Sequence, residues 1–115
     1  MEFQVRQNRL HHEKTQLNQL DISNEGAEVY LKAQSYTVVN LMRDLDPQYG
    51  IKAEQTIDAL WAKYYDKRKK WQMDNSDPIK KKQNYARFAD KALQSLHFDI
   101  CRAIQNIVDE GELLE

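Results

Sequence analysis

From Tyr85 to Ile107 apolar residues return every three or four positions, and from Pro78 to Glu110 no glycine or proline interrupts them. Tyr85, Ala89, Ala92, Leu96, Ile100, Ala103 and Ile107 fall on one side of a wheel stepped at about 100° per residue, the signature of an amphipathic helix. Asp77-Pro78 opens the segment. An aspartate there can accept a backbone N–H, and proline is preset for a first helical turn. A helix this long, at about 1.5 Å per residue, exceeds 40 Å and must overhang shorter neighbours.

The three glycines and two prolines, Gly26, Pro47, Gly50, Pro78 and Gly111, read as punctuation. They divide the chain into four segments, about 2–20, 25–45, 52–72 and 78–109. Segment two follows Ser23-Asn24-Glu25-Gly26, where Ser23 or Asn24 can cap, and gathers Ala27, Tyr30, Leu31, Val38, Leu41, Met42 and Leu45 on one face. Asp46-Pro47-Gln48-Tyr49-Gly50 ends it, because the residue before proline is driven out of the helical region. Segment three gathers Ile57, Leu60, Trp61, Tyr64 and Trp71. Short connections make antiparallel neighbours the default. The expected fold is therefore all-α: one compact antiparallel bundle of about four helices, with segments three and four as its central hairpin and 110–115 as an acidic tail. At 115 residues there is room for one core only.

Segment one is thinner. Its apolar positions Phe3, Leu10 and Leu17 recur every seven residues, and three side chains worth about 1.5–3 kcal/mol each barely offset the ordering of some twenty residues. Two expectations follow: a loosely packed helix on the bundle, or a coiled-coil seam that pairs with a partner or a second copy.

Charge is distributed unevenly. Between Lys63 and Lys91 ten Lys and Arg stand against four Asp, +6, while the remainder carries seven against fourteen acids, −7. Lys63, Lys67 and Lys70 share a flank of segment three, and Lys80, Lys81 and Lys82 open segment four. With Tyr64, Tyr65, Trp71 and Tyr85 close by in sequence, Lys63, Lys67, Lys70, Lys81 and Lys82 are the candidates for a nucleic-acid contact. A net charge of −1 weighs against it, and a solvated flank or an acidic protein partner are the alternatives. Opposite the core stripe of segment four lie Lys80, Arg87, Lys91, Phe98 and Arg102. Phe98 either buries against Val29 and Tyr36 of segment two or anchors a protein interface ringed by cations.

Catalytic and metal chemistry find no foothold. His11 and His12 are adjacent and point about 100° apart on a helix, and His97 and Cys101, four apart, lack a third ligand. One cysteine excludes an internal disulfide. No cofactor is expected, and no enzyme. No apolar run is long enough for a membrane span, and the start has neither the cationic stretch nor the apolar core of a secretory signal. Cytoplasmic synthesis is expected, with export by a specialised signal-less route left open. In size and architecture the chain is similar to small helical accessory proteins of bacterial secretion systems and phages. It has no Trp-x-Gly turn and no tyrosine followed four positions on by Asp or Glu, so the likeness is architectural. The expected function is a non-enzymatic interaction module, an adaptor, targeting factor or chaperone-like accessory subunit that packs on a helical protein. The alternatives are a nucleic-acid-associated protein and a self-assembling subunit joined through Phe3, Leu10 and Leu17.

Overall fold

Aspartate followed by proline opens two of the helices, not one. A computed structural model describes residues 2–23, 26–74 and 77–114, apart from the side chains at 2, 72–74, 81–86, 89 and 90. Among the described residues the chain is four α-helices without a strand: α1 (Glu2–Asn18), α2 (Ala27–Leu45), α3 (Pro47–Asp74) and α4 (Pro78–Gly111). The Asp77 carboxylate accepts from the N–H of Ile79 at 3.0 Å ahead of Pro78. Asp46 does the same for Gln48 at 3.1 Å ahead of Pro47. The stretch expected to be a loop up to Gly50 is therefore the first turn of α3. Gly50 serves a close approach instead, since a Cβ there would lie 2.5 Å from the Arg43 Cα.

The cap expected from Ser23 does not form. Its hydroxyl and N–H both donate to the Asp21 carboxylate, at 2.6 and 3.0 Å, and those bonds hold that carboxyl below its usual range. Gly26, with φ 81°, occupies the cap position of α2 without a side-chain bond, a conformation glycine adopts without Cβ strain. Asn24 lies outside the described residues.

Consecutive helices are neighbours. α2 packs on α1 and on α3, α3 on α4, and thinner contacts join α4 to α1 and α2. The middle pair is thus α2 with α3 rather than α3 with α4. Arg43 with Glu54, and Arg68 with Glu28 at 3.1 Å, tie α2 to α3 in antiparallel sense, and Lys52 with Glu110 at 2.6 Å does so for α3 and α4. The core comprises Leu31, Val38, Val39 and Met42 of α2, Ala53, Ile57, Trp61 and Tyr64 of α3, and Leu93, Leu96, Ile100, Ile104 and Ile107 of α4. Tyr30, expected in it, is exposed. Tyr85 and Ala89 lie outside the described side chains.

Leu10 and Leu17 are wholly buried in this same core, while Phe3 remains 59% exposed. The seam expected of the three is corrected: its two leucines face inward and are not available to a partner. Polar groups add what the thin stripe lacks. Gln7 donates to the Leu113 carbonyl at 3.0 Å, Gln34 to the Glu13 carbonyl at 3.2 Å, and Lys14 to the Gln105 side chain. Leu113 is buried as well, so the segment after α4 closes the end of the core rather than trailing from it.

At about 1.5 Å per residue α1 and α2 are about 25 and 28 Å long, against about 42 and 51 Å for α3 and α4. The molecule measures 57 × 23 × 17 Å. The overhang expected of the last helix is therefore shared by α3, and the two run on together as an arm beyond the Arg68–Glu28 pair.

Candidate interaction groove between α3 and α4

Two flanks of α3 have different neighbours. Tyr65 and Arg68 turn to α2, where the Lys32 ammonium sits 5.1 Å from the Tyr65 ring centre and donates to its hydroxyl at 3.1 Å. Leu60, Lys63, Tyr64, Lys67 and Trp71 occupy the other flank and face Phe88, Ala92, Ser95, Leu96 and Asp99 of α4 across a groove. The groove is a cleft of about 20 Å³ at its Leu60–Asp99 end and opens to about 580 Å³ between Trp71 and Arg87.

Aromatic rings pave it. Tyr64 and Phe88 stack at 6.4 Å with planes 21° apart, and Trp71 and Phe88 at 5.7 Å and 18°. Tyr64 is buried, whereas Phe88 and Trp71 are half-buried and reach the surface. Lys63 and Lys67 on one rim and Arg87 and Lys91 on the other are all exposed. Asp99 is the one acid among the described residues lining it. Lys69 and Lys70 continue the cationic ridge of α3, with Asp66 between them and Lys63.

Members of two sets singled out separately in the sequence meet here. Lys63 and Lys67 come from the nucleic-acid candidates, and Arg87 and Lys91 from the partner-binding ones. Lys70 lies on the adjoining ridge, and Lys80 is exposed in the first turn of α4, before the groove begins. The side chains of Lys81 and Lys82 lie outside the described residues. Phe98 is 64% exposed and Arg102 is exposed as well. Stepped along α4, Phe98 lies about 60° round from Ser95, which places it beside the rim. The mutual burial of Phe98 with segment two does not occur: Val29 is 70% exposed, and the Tyr36 hydroxyl bonds to Asp58 of α3 instead. Burial, and then that carboxylate, push the Tyr36 phenol upward. Phe88 was not singled out, although it stands four residues before Ala92 on the flank that meets α3.

The reactive side chains are committed elsewhere. A carbonyl only accepts, so His97 carries its proton on Nε2 and donates to Leu17 O at 2.7 Å. Burial pushes the half-buried Cys101 thiol up to about 11, although Lys14 acts the other way. His11 and His12 are exposed on α1. Among the described residues no group of three or more His, Cys, Asp or Glu is placed to hold a metal ion, and no helix is long and apolar enough to cross a membrane. No family model matches the chain, and no curated protein or solved structure does so either.

Proposed function

We propose that the chain is a non-enzymatic interaction module, an adaptor or accessory subunit, that receives a helix of a partner protein in the groove between α3 and α4. One observation carries this: half-buried Trp71 and Phe88 stack at the mouth of a groove of about 580 Å³ between α3 and α4. Paired helices present such furrows to a third helix, whose side chains enter at i, i+3, i+4 and i+7. Aromatics and arginine at the centre of a patch are the residue types that anchor protein interfaces. The test is a matched capture from the source cells using three versions of the full chain: wild type, Trp71→Ala with Lys67→Glu, and Phe98→Asp. A protein bound by the wild type and lost by the groove variant supports the proposal. Equal capture by all three overturns it.

A second reading rests on the same rings. Stacked aromatics between cations suit single-stranded nucleic acid, whose bases stack and whose phosphates pair. It requires quenching of Trp71 fluorescence by an oligonucleotide and affinity that falls steeply with salt.

A further inference from the structure

Resting on that reading, we infer that the occupant of the groove is an acidic amphipathic helix of a different protein, and not a second copy of this chain. Four cations line the groove, Lys63 and Lys67 on α3, Arg87 and Lys91 on α4, so a helix lying between them meets positive charge on both sides. Such an occupant places apolar residues over Phe88 and Trp71 and carboxylates along both flanks. From Leu60 to Trp71 the groove runs about 16 Å, three turns of helix. Asp99, the one acid among the described residues lining the groove, lies at its narrow end, and Arg87 at the wide one. A helix carries partial positive charge at its N-terminus and negative at its C-terminus. The occupant therefore lies with its N-terminus toward Asp99 and its C-terminus toward Arg87, parallel to α3.

The chain's own surfaces do not match these requirements. Residues 63–91 carry +6, so two arms laid together oppose like charges. Of the acids at the far end of the bundle, Glu54 pairs with Arg43, Glu110 with Lys52, and Asp46 caps α3, each on a different face. They do not form one acidic helix face.

The experiment titrates the full chain with four labelled probes: a designed amphipathic helix of leucine and glutamate, its lysine-for-glutamate twin, a scrambled glutamate peptide, and a single-stranded oligonucleotide of the same charge. The glutamate helix is expected to bind at least about ten-fold tighter than each of the others, a difference of about 1.4 kcal/mol. Lys67→Glu with Lys91→Glu, both at exposed positions, is expected to leave the thermal melt in place and to reverse the preference toward the lysine twin. Equal binding of the scrambled peptide, tighter binding of the oligonucleotide, or dimers in light scattering that Trp71→Ala abolishes would each overturn the inference. If the glutamate helix fails while the groove variant still loses its captured protein, the acidic occupant is wrong and the interaction module stands. If both fail, the module reading falls too.

Discussion

The imidazole Nε2 of His97 donates a 2.7 Å hydrogen bond to the backbone carbonyl of Leu17, joining the last turn of α1 to the middle of α4 across 80 positions of chain. It is one of a few polar ties that supplement the two buried leucines of α1. His97→Ala is expected to cost about 1–2 kcal/mol, read from urea denaturation. Faster amide exchange should appear in α1 and not in α3. His97→Gln, which keeps a donor, should recover part of the loss.

Leu10 and Phe3 lie on the same seven-residue repeat yet have opposite surroundings. Leu10→Ala removes a wholly buried side chain and is expected to cost about 2–5 kcal/mol. Phe3→Ala should stay within about 0.5 kcal/mol of wild type, as exposed positions do. Equal effects in a denaturation series would contradict the docking of α1.

Gly50 and Gly111 respond differently to alanine. At Gly50 the new Cβ meets the Arg43 backbone at 2.5 Å, and the roughly 1 kcal/mol by which alanine favours a helix is outweighed because backbone cannot step aside. A net loss near the upper end of the about 1–3 kcal/mol of overpacking is expected. At Gly111 the neighbour is the Tyr49 ring at 3.0 Å, a side chain that can shift, so Gly111→Ala should change the thermal midpoint far less.

Cys101 makes stability fall in alkali. Its thiol is pushed from 9.0 up to about 11 by burial, so between about pH 9 and 11 the unfolded chain ionises while the folded one holds its proton. The contribution is complete below pH 9 and is lost as pH rises toward 11. Tyr36, raised by burial and Asp58, acts with the same sign at higher pH. Cys101→Ala should flatten the fall between pH 9 and 10 in denaturation curves. The wild-type thiol should react with an aromatic disulfide at pH 8 far more slowly folded than in urea.

Trp71 and Phe88 stabilise the arm through stacking at 5.7 Å. A double-mutant cycle with Trp71→Leu and Phe88→Leu is expected to give a coupling of about 0.5–1.5 kcal/mol, visible in amide exchange of the arm. Additive losses would show that the rings do not act on each other.

The fold was largely legible because its signals are local. Period and capping belong to a single segment, and the Asp77-Pro78 start is realised with its hydrogen bond. The same dipeptide at Asp46-Pro47 reads in the sequence as the end of segment two, whereas it also opens α3, and the role of Gly50 depends on how near α2 comes, which no single segment contains. Leu10 and Leu17 misled for a related reason: a sparse stripe gives no hint that Gln7, Lys14 and His97 will supply hydrogen bonds from one helix to another. The groove was legible only in halves. Lys63 and Lys67 on α3, and Arg87 and Lys91 on α4, could each be placed on a flank, but their meeting depends on the antiparallel register that sets Trp71 against Phe88.

Because the groove's cations stand on its rims while Tyr64 and Leu96 form its buried floor, the charges that would meet a partner are largely separate from the residues that hold the fold. Lys63, Lys67, Arg87 and Lys91 are exposed, while the wholly buried positions Leu10, Leu17, Leu31, Met42, Ile57, Ile100 and Ile104 lie outside the groove. Selection can therefore rewrite recognition along the rims of the groove, trading cations for other chemistries, without eroding the scaffold, and homologous chains should diverge fastest there.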